Sequence, residues 1–396
     1  MAIIDKIISL SNKYEDYVIK IRRKIHENPE LSFKEFETSQ LVISELEKLN
    51  IDITKEIAGT GVIGLLKGKE EGKVLLIRAD MDALPIEEGA DVDFKSKNKG
   101  LMHACGHDVH TANLLGVARI LSELKDEFNG TVKFMFQPGE ERGGGARKMI
   151  QEGILSNPKV DAALALHLMS IKQGKILVTN NNITAYSDGF TIKIFGKGAH
   201  TAKPQDGVDA INIAGNIIVS LNTIISKGID PRDAATFSIG KIKGGTSNNI
   251  VSDYVELTGM IRSTNATSRD IIREKIESIS KGIAQTFGGS STFELREGYP
   301  SIVNNRELTG KIRNGFRENL QKLSQDISDD IELRTYKALL TADDFGYISH
   351  QVPSTYYMIG TGDFSPIHTS NFCVDEKYIK LCTRTMALAA MEYLKE

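Results

Sequence analysis

Val74-Leu-Leu-Ile-Arg-Ala-Asp-Met-Asp82 is a short, almost wholly apolar run that ends abruptly in two acids. A continuous apolar run of that length, bounded by polar residues, reads as a strand buried on both faces, the kind found in parallel sheets. Similar runs recur at 62–66, 132–136 and 162–166, with helical patterns at 112–124 and 146–152 between them. Upstream, residues 3–25 repeat apolar side chains at helical spacing and stop near Asn28-Pro29, which predicts an amphipathic helix packed on the body. Strands alternating with helices predict an α/β domain with a mostly parallel sheet and helices on both faces.

The pattern changes near Gly189. A strand over 190–195 is followed by a helix over 210–225, strands over 236–242 and 254–262, a helix over 269–287 and a strand over 292–295. Strand-helix-strand-strand-helix-strand is the ferredoxin-like order, here an α+β insertion inside an α/β chain. Signals of the first kind resume with a helix over 307–323, a strand over 355–359 and a helix over 377–394. The expected division is a main domain in two pieces, 1–184 and 298–396, with a smaller domain, 185–297, between them.

A chain of 396 residues exceeds one ordinary core, in keeping with two domains. Its net charge of -3 offers no field for nucleic acid or an anionic membrane, so neither is expected as a partner. No stretch reaches the ~18 consecutive apolar residues of a membrane span. Asp5 and Lys6 interrupt the apolar start, unlike a secretory signal. Cys105, Cys373 and Cys382 are an odd number in a chain too large to need disulfides, which points to the cytoplasm.

Chemistry-bearing residues lie just past the expected strands. Asp80 and Asp82 follow the first, Glu140 and Glu141 follow Phe134-Met-Phe-Gln-Pro138, and His167 ends Ala162-Ala-Leu-Ala-Leu166. Cys105-Gly-His-Asp108 opens a helix expected to begin near His110. In open α/β sheets sites form beyond the carboxyl ends of the strands, so these groups converge on one rim. Cys105 and His107, two apart, face the same way on an extended backbone. Adjacent Glu140 and Glu141 suit different tasks, one on metal and one on a proton. A mixed Cys, His and Glu set fits zinc or another transition ion better than magnesium or calcium. Plainer readings compete: a lone histidine is usually structural, and Asp108 is a candidate helix N-cap. Cys105 with His107 is a candidate thiol nucleophile and base, although two positions in a tight turn reach poorly. His26, His103 and His110 have no pairing argument and are read as structural, His350 as exposed, and Cys373 and Cys382 as inert.

The segments Arg78-Ala-Asp-Met-Asp-Ala-Leu-Pro85, Met102-His-Ala-Cys-Gly-His-Asp108 and Phe136-Gln-Pro-Gly-Glu-Glu141 resemble the aminoacylase, hippurate hydrolase and indole-acetyl-amino-acid hydrolase family. These are dinuclear metal amidohydrolases related to metallocarboxypeptidases. The likeness runs from His26-Glu-Asn-Pro-Glu-Leu-Ser-Phe33 through Gly196-Lys-Gly-Ala-His200 to His368-Thr-Ser-Asn-Phe372. It implies a phosphorylase/hydrolase-like, zinc-peptidase type of main fold with the insertion as lid and dimerisation domain. It further implies two divalent ions per subunit, zinc or manganese first and cobalt or nickel next. Their ligands would be Cys105, His107, Glu141, His167 and His368, with Glu140 as catalytic base and Asp82 orienting a ligand imidazole. Asp80 is not read as a ligand. The resemblance gives His200 to the oxyanion and Asn249 and Arg262 to substrate, Arg262 to a free carboxylate. The implied reaction is hydrolysis of an N-acyl amino acid, alternatively of a short unblocked peptide, by a homodimer or tetramer built through the lid. A metal-free module that binds acyl-amino acids is the remaining reading. One departure is Asp343 in Thr341-Ala-Asp-Asp-Phe345, where relatives commonly carry Glu before the Asp-Phe pair.

Overall fold

The computed structural model describes residues 1–328, 330–360, 362 and 365–395. The chain divides into two compact units: Met1–Asn181 with Val303–Lys337 and Tyr347–Glu396, and Asn182–Ile302 with Ala338–Gly346. The short stretch 338–346, which the sequence pattern leaves in the main domain, clusters with the second unit.

The first unit is built on an eight-stranded sheet. Its strands in chain order are β1 (Asp52–Ile57), β2 (Gly61–Lys67), β3 (Val74–Asp80), β4 (Thr131–Gln137), β5 (Ala162–Met169), β6 (Lys175–Leu177), Glu332–Arg334 and Ser354–Gly360. The spatial order is β1-β2-β4-β3-β5, then Ser354–Gly360, β6 and Glu332–Arg334. The middle four strands, β4, β3, β5 and Ser354–Gly360, are parallel neighbours. β1, β2 and β6 bring antiparallel pairs to the flanks. Every residue of β3 is buried, as the opening run requires of a strand covered on both sides. Leu75, Leu76 and Ile77 are fully enclosed, each worth roughly 1.5–3 kcal/mol of burial.

Helices cover this sheet. α1 (Ile3–His26) buries Ile4, Ile7, Ile8, Val18, Ile21 and Ile25, one stripe at helical spacing, against α3 (His107–Glu123) and the terminal helix Ile379–Leu394. α2 (Phe36–Glu47) packs on β1 and β2, and α4 (Gly145–Gln151) on β4. α3 starts three residues earlier than the beginning expected near His110. Gly106 supplies the reason: its φ of +88° lets the chain turn from Cys105 straight into the helix. A side chain there would also crowd Leu168, 3.1 Å from the position of a Cβ. Asp108 is therefore inside the helix and is not its N-cap, contrary to the plain reading. Its carboxylate instead accepts from Arg22 Nε at 2.7 Å and pairs with His26 Nδ1 at 2.8 Å.

The second unit has a four-stranded antiparallel sheet in the order Ala235–Gly244, Tyr254–Ser263, Tyr186–Phe195, Ser290–Arg296. In chain order that places the fourth strand beside the first and the third beside the first on its other side, the ferredoxin-like arrangement. Helices Ala210–Leu221 and Ala266–Thr286 pack on each other and on this sheet. Asp209 and Asn265 cap them, each side chain accepting from two backbone N–H groups. The core between them, with Ile192, Ile217, Leu257, Ile272 and Ile276 fully buried, is a separate cluster from that of the first unit.

Candidate metal centre

The carboxyl ends of the parallel strands deliver the donor atoms. β3 ends at Asp80 and leads to Asp82; β4 leads to Glu140 and Glu141; β5 carries His167; and the segment after Ser354–Gly360 carries His368. β5 runs on to Met169, past the expected end at 166, because His167 is still in register with Met358 of the neighbouring strand. Cys105 lies at the centre. Its Sγ is 3.6 Å from His167 Nε2 and 3.4 Å from His368 Nε2. His368 Nε2 is in turn 3.2 Å from Glu141 Oε1. Donor atoms of Cys105, His107 and His167, of Cys105, Glu141 and His368, and of His107, Glu140 and Glu141 form three overlapping groups, each within 4.8 Å. Two groups share Cys105, two share His107 and two share Glu141.

The hydrogen bonds around these side chains suit cation ligands. His107 Nδ1 donates to the Asp82 carbonyl at 2.8 Å, with an Asp82 carboxylate oxygen at 3.3 Å, so in the neutral ring Nε2 presents a lone pair. That Nε2 is buried and has no hydrogen-bond partner among the described residues, the nearer Asp80 oxygen lying 3.6 Å away. His167 Nδ1 donates to the Leu168 carbonyl at 2.6 Å, turning its Nε2 toward Cys105. Glu141 Oε1 is buried and likewise lacks a hydrogen bond among the described residues despite its closeness to His368. Buried polar atoms are rarely left orphaned, and a bound cation satisfies all of these at once.

Burial wins at the thiol: it pushes Cys105 up to about 12, outweighing the pull of His107. At neutral pH such a thiol is protonated, which disfavours the nucleophile reading; a coordinating cation is what deprotonates a sulfur so placed. Burial alone would lower His107, but the Asp80 carboxylate raises it well above its ordinary value. Burial likewise pushes Asp80 and Asp82 up, and it is outweighed by Arg78 and the histidines at Asp80 and by His107 and Ser32 at Asp82, so both stay acidic.

Asp80 and His110 form another close group with His107, but their own bonds are complete. His110 Nδ1 donates to Asp80 at 2.6 Å, its Nε2 accepts the Leu168 N–H at 3.0 Å, and Arg78 donates to the other Asp80 oxygen at 2.6 Å. This is a brace between β3 and β5. His26 is also fully engaged, between Asp108 and Glu88 at 2.8 and 2.9 Å. His103 is buried and held neutral, pushed down to about 3 by burial. His350 is exposed, Cys373 half-buried and Cys382 buried, and no cysteine is paired.

The remaining candidates belong to the second unit. His200 pairs with Ile250 in a two-residue ladder, which brings it beside Asn249. The Ala202 N–H donates to His200 Nδ1 at 3.0 Å, so in the neutral ring the proton sits on Nε2. Asn249 accepts from Ser247 Oγ at 2.7 Å. Arg262 is half-buried, donates to Ser187 Oγ and has no carboxylate bonded to it among the described residues, whereas neighbouring Arg269 grips Asp188 with both ends of its fork at 2.6 and 2.7 Å. Asp343 accepts the Phe345 N–H at 2.8 Å, a turn that its short side chain makes locally.

Residues 76–392 match the family model described as Peptidase family M20/M25/M40. The chain belongs to that family. It is thus a hydrolase, and its resemblance to amidohydrolases is borne out. "Thermostable carboxypeptidase 2" of Saccharolobus solfataricus is 38% identical, over 99% of this chain and 99% of its own length. "N-acetyl-L-cysteine deacetylase" of Bacillus subtilis is 35% identical over 92% of this chain and 85% of its own length. A solved Bacillus subtilis protein described as a dinuclear metal binding peptidase from the M20 family superposes with a TM-score of 0.85 at 32% identity, covering 97% of this chain and 99% of that one. Within this M20 chain no helix among the described residues is long and apolar enough to cross a membrane. Residue reading alone did not reach His368, whose backbone φ of +64° and bond from its N–H to the Ala104 carbonyl at 2.7 Å place it beside Cys105 across 263 positions of sequence. It also left out Glu35, which accepts the Gly139 N–H, and Ser32, which donates to Asp82, the acceptor of the Glu140 and Glu141 N–H groups.

Proposed function

We propose that the chain hydrolyses the amide bond of N-acyl-L-amino acids. Two divalent ions would be held by Cys105, His107, Glu141, His167 and His368. The observation that carries this reading is the set of three overlapping donor groups with orphaned, buried His107 Nε2 and Glu141 Oε1. The family resemblance implies zinc or manganese, then cobalt or nickel, and one sulfur among nitrogen and carboxylate donors suits a transition ion over magnesium or calcium. When bound, the ions polarise the amide carbonyl and acidify the attacking water.

Glu140 takes the proton of that water as the new C–O bond forms, and returns it to the leaving nitrogen as the C–N bond breaks. Its backbone N–H is fixed by Asp82 Oδ1 at 3.1 Å, so the carboxylate hangs from a held point. His200, with its proton on Nε2, is the donor to the oxygen that becomes negative. Arg262, whose fork has no carboxylate of its own among the described residues, is assigned to the α-carboxylate of the substrate, and Asn249 to its polar backbone.

Hydrolysis of a panel of N-acetyl and N-benzoyl amino acids and unblocked dipeptides, with metal measured on the same sample, tests this. Preference for blocked substrates supports it. Preference for free peptides favours the second reading, a carboxypeptidase or dipeptidase, which the 38% identity to a thermostable carboxypeptidase supports. Activity that survives chelation removes metal-assisted hydrolysis altogether. We further propose a homodimer or tetramer formed through the second unit, where exposed Ile211, Val219 and Ile242 lie on helix Ala210–Leu221 and edge strand Ala235–Gly244. A cytoplasmic setting suits three unpaired cysteines.

A further inference from the structure

We propose that Glu35 is a positioning residue for this reaction, fixing the backbone at Gly139 so that Glu140 is held where it must move a proton. The proposal rests on the reading of Glu140 as the base.

Glu35 stands at the N-cap of α2, yet its side chain makes no bond to that helix. Glu30 does the capping instead, accepting from the N–H groups of Glu37 at 3.0 Å and Thr38 at 2.9 Å. Released from that task, the Glu35 carboxylate turns inward and is completely buried. Oε1 accepts from the N–H groups of Phe33 and Gly139, both at 2.9 Å, and Oε2 from Thr60 Oγ at 2.6 Å. No Lys or Arg pairs with it among the described residues. A buried carboxylate without a counter-ion is costly. Burial lifts it to about 7, and the nearby Asp82 carboxylate adds to the rise. Good packing with an apolar side chain would avoid this cost, so the acid at this place has a function other than stability.

What it holds explains the cost. Gly139 N–H goes to Glu35, while Glu140 and Glu141 N–H go to Asp82 at 3.1 and 3.0 Å. Three successive amides of the catalytic loop are thus pinned by two carboxylates. Gly139 has a φ of +63°, and with no side chain it would be the soft joint of the loop. The Phe33 ring closes it from the other side, since a Cβ on Gly139 would fall 2.5 Å from that ring. Phe33 itself is kept at a φ of +62°, strained for a bulky residue and maintained by the same contacts. Ser32 donates to Asp82 at 2.6 Å, which ties the two carboxylates into one brace.

The test compares Glu35→Ala, Glu35→Gln, Thr60→Val and Glu140→Gln in metal-loaded enzyme. Metal content, melting temperature, and kcat and KM on an N-acyl amino acid are measured well below the melting point. A shift of about 1 Å in a catalytic group costs about 100-fold, so E35A should lose ~10- to 100-fold in kcat with KM and metal content near wild type. E35Q, whose carbonyl can accept both amides, should stay near wild type. T60V should fall between. A merely structural role moves melting temperature and leaves kcat of the folded, loaded enzyme intact; that result overturns the proposal. So does loss of metal without a kcat effect. If E35A does not fold, T60V against E35Q decides, and equal kcat in these two and wild type overturns it. Wild-type turnover in E140Q removes the base reading and the Glu35 proposal with it, whereas an inert E140Q beside an unimpaired E35A refutes Glu35 alone.

Discussion

Asp82→Asn changes one atom and should weaken metal binding measurably. The two Asp82 oxygens have different duties. Oδ1 accepts the Glu140 N–H and lies 3.3 Å from His107 Nδ1; Oδ2 accepts the Glu141 N–H and the Ser32 hydroxyl. An asparagine must put its NH2 at one of these places. At Oδ1 it would oppose both the Glu140 N–H and the proton on His107 Nδ1. At Oδ2 it opposes the Glu141 N–H alone, because Ser32 can rotate to accept. The second orientation wins and leaves one partly buried amide without a partner, which costs up to ~1–3 kcal/mol. That amide belongs to Glu141, so the strain falls on a proposed ligand. The His107 tautomer survives, since its Nδ1 still has the Asp82 carbonyl. Loss of partners behind a ligand typically lowers metal affinity or activity ~10- to 100-fold, and ~1.4 kcal/mol per factor of ten puts both figures on one scale. Titration of metal-loaded enzyme with a competing chelator reads the affinity directly, with Ser32→Ala as a milder control that removes only a hydroxyl. If D82N binds metal and turns over like wild type, Asp82 does not support this centre.

Glu140→Gln should keep its metal and lose at least ~100-fold in turnover, the scale of a lost acid–base group; near-normal turnover on an N-acyl amino acid removes it as base. Cys105→Ser should bind less metal, read by elemental analysis of purified protein, and a full complement would contradict a thiolate ligand. After chelation the Cys105 thiol, at about 12, should react slowly with iodoacetamide at pH 7.5; rapid labelling would revive the nucleophile reading. Glu35 ionises near 7 when folded against an ordinary 4.5. Between those values the unfolded chain gives up its proton first, so the native state loses stability as pH rises through the window, by about 3 kcal/mol above it. Glu35→Gln lacks that loss, and its melting temperature should gain on wild type from pH 5 to pH 8; an unchanging difference would contradict the buried ionisation. Gly139→Ala, forced against Phe33 at a positive φ, should lose ~1–3 kcal/mol of stability, checked by denaturant unfolding.

Much of the fold was legible because each signal was local. Val74 to Ala79 is apolar enough to be enclosed on both sides, and β3 is enclosed throughout. The six elements from 190 to 295 follow in an order with one familiar sheet arrangement, which the strand pairings reproduce. Misplaced edges had equally local causes. α3 begins at His107 because Gly106 adopts a left-handed turn, a property of conformation that apolar periodicity does not record. β5 continues to Met169 because a neighbouring parallel strand pairs with it, and that partner lies nearly two hundred residues away.

The extended backbone expected at Cys105 and His107 is instead a left-handed turn at Gly106, but by itself the sequence determined which segments must be buried and which rim of the sheet would gather the acids and histidines. Those follow from side-chain hydrophobicity and backbone period, which act over a few residues. Only the tertiary structure decided that His368 meets Cys105, that His110 is consumed by Asp80 and Leu168, and that Asp108 serves Arg22 and His26 instead of a helix end. It also decided that Glu35 and Asp82 share the amides of one loop. A polar atom's role depends on which partner satisfies it once water is excluded, and that partner is fixed by packing between distant segments.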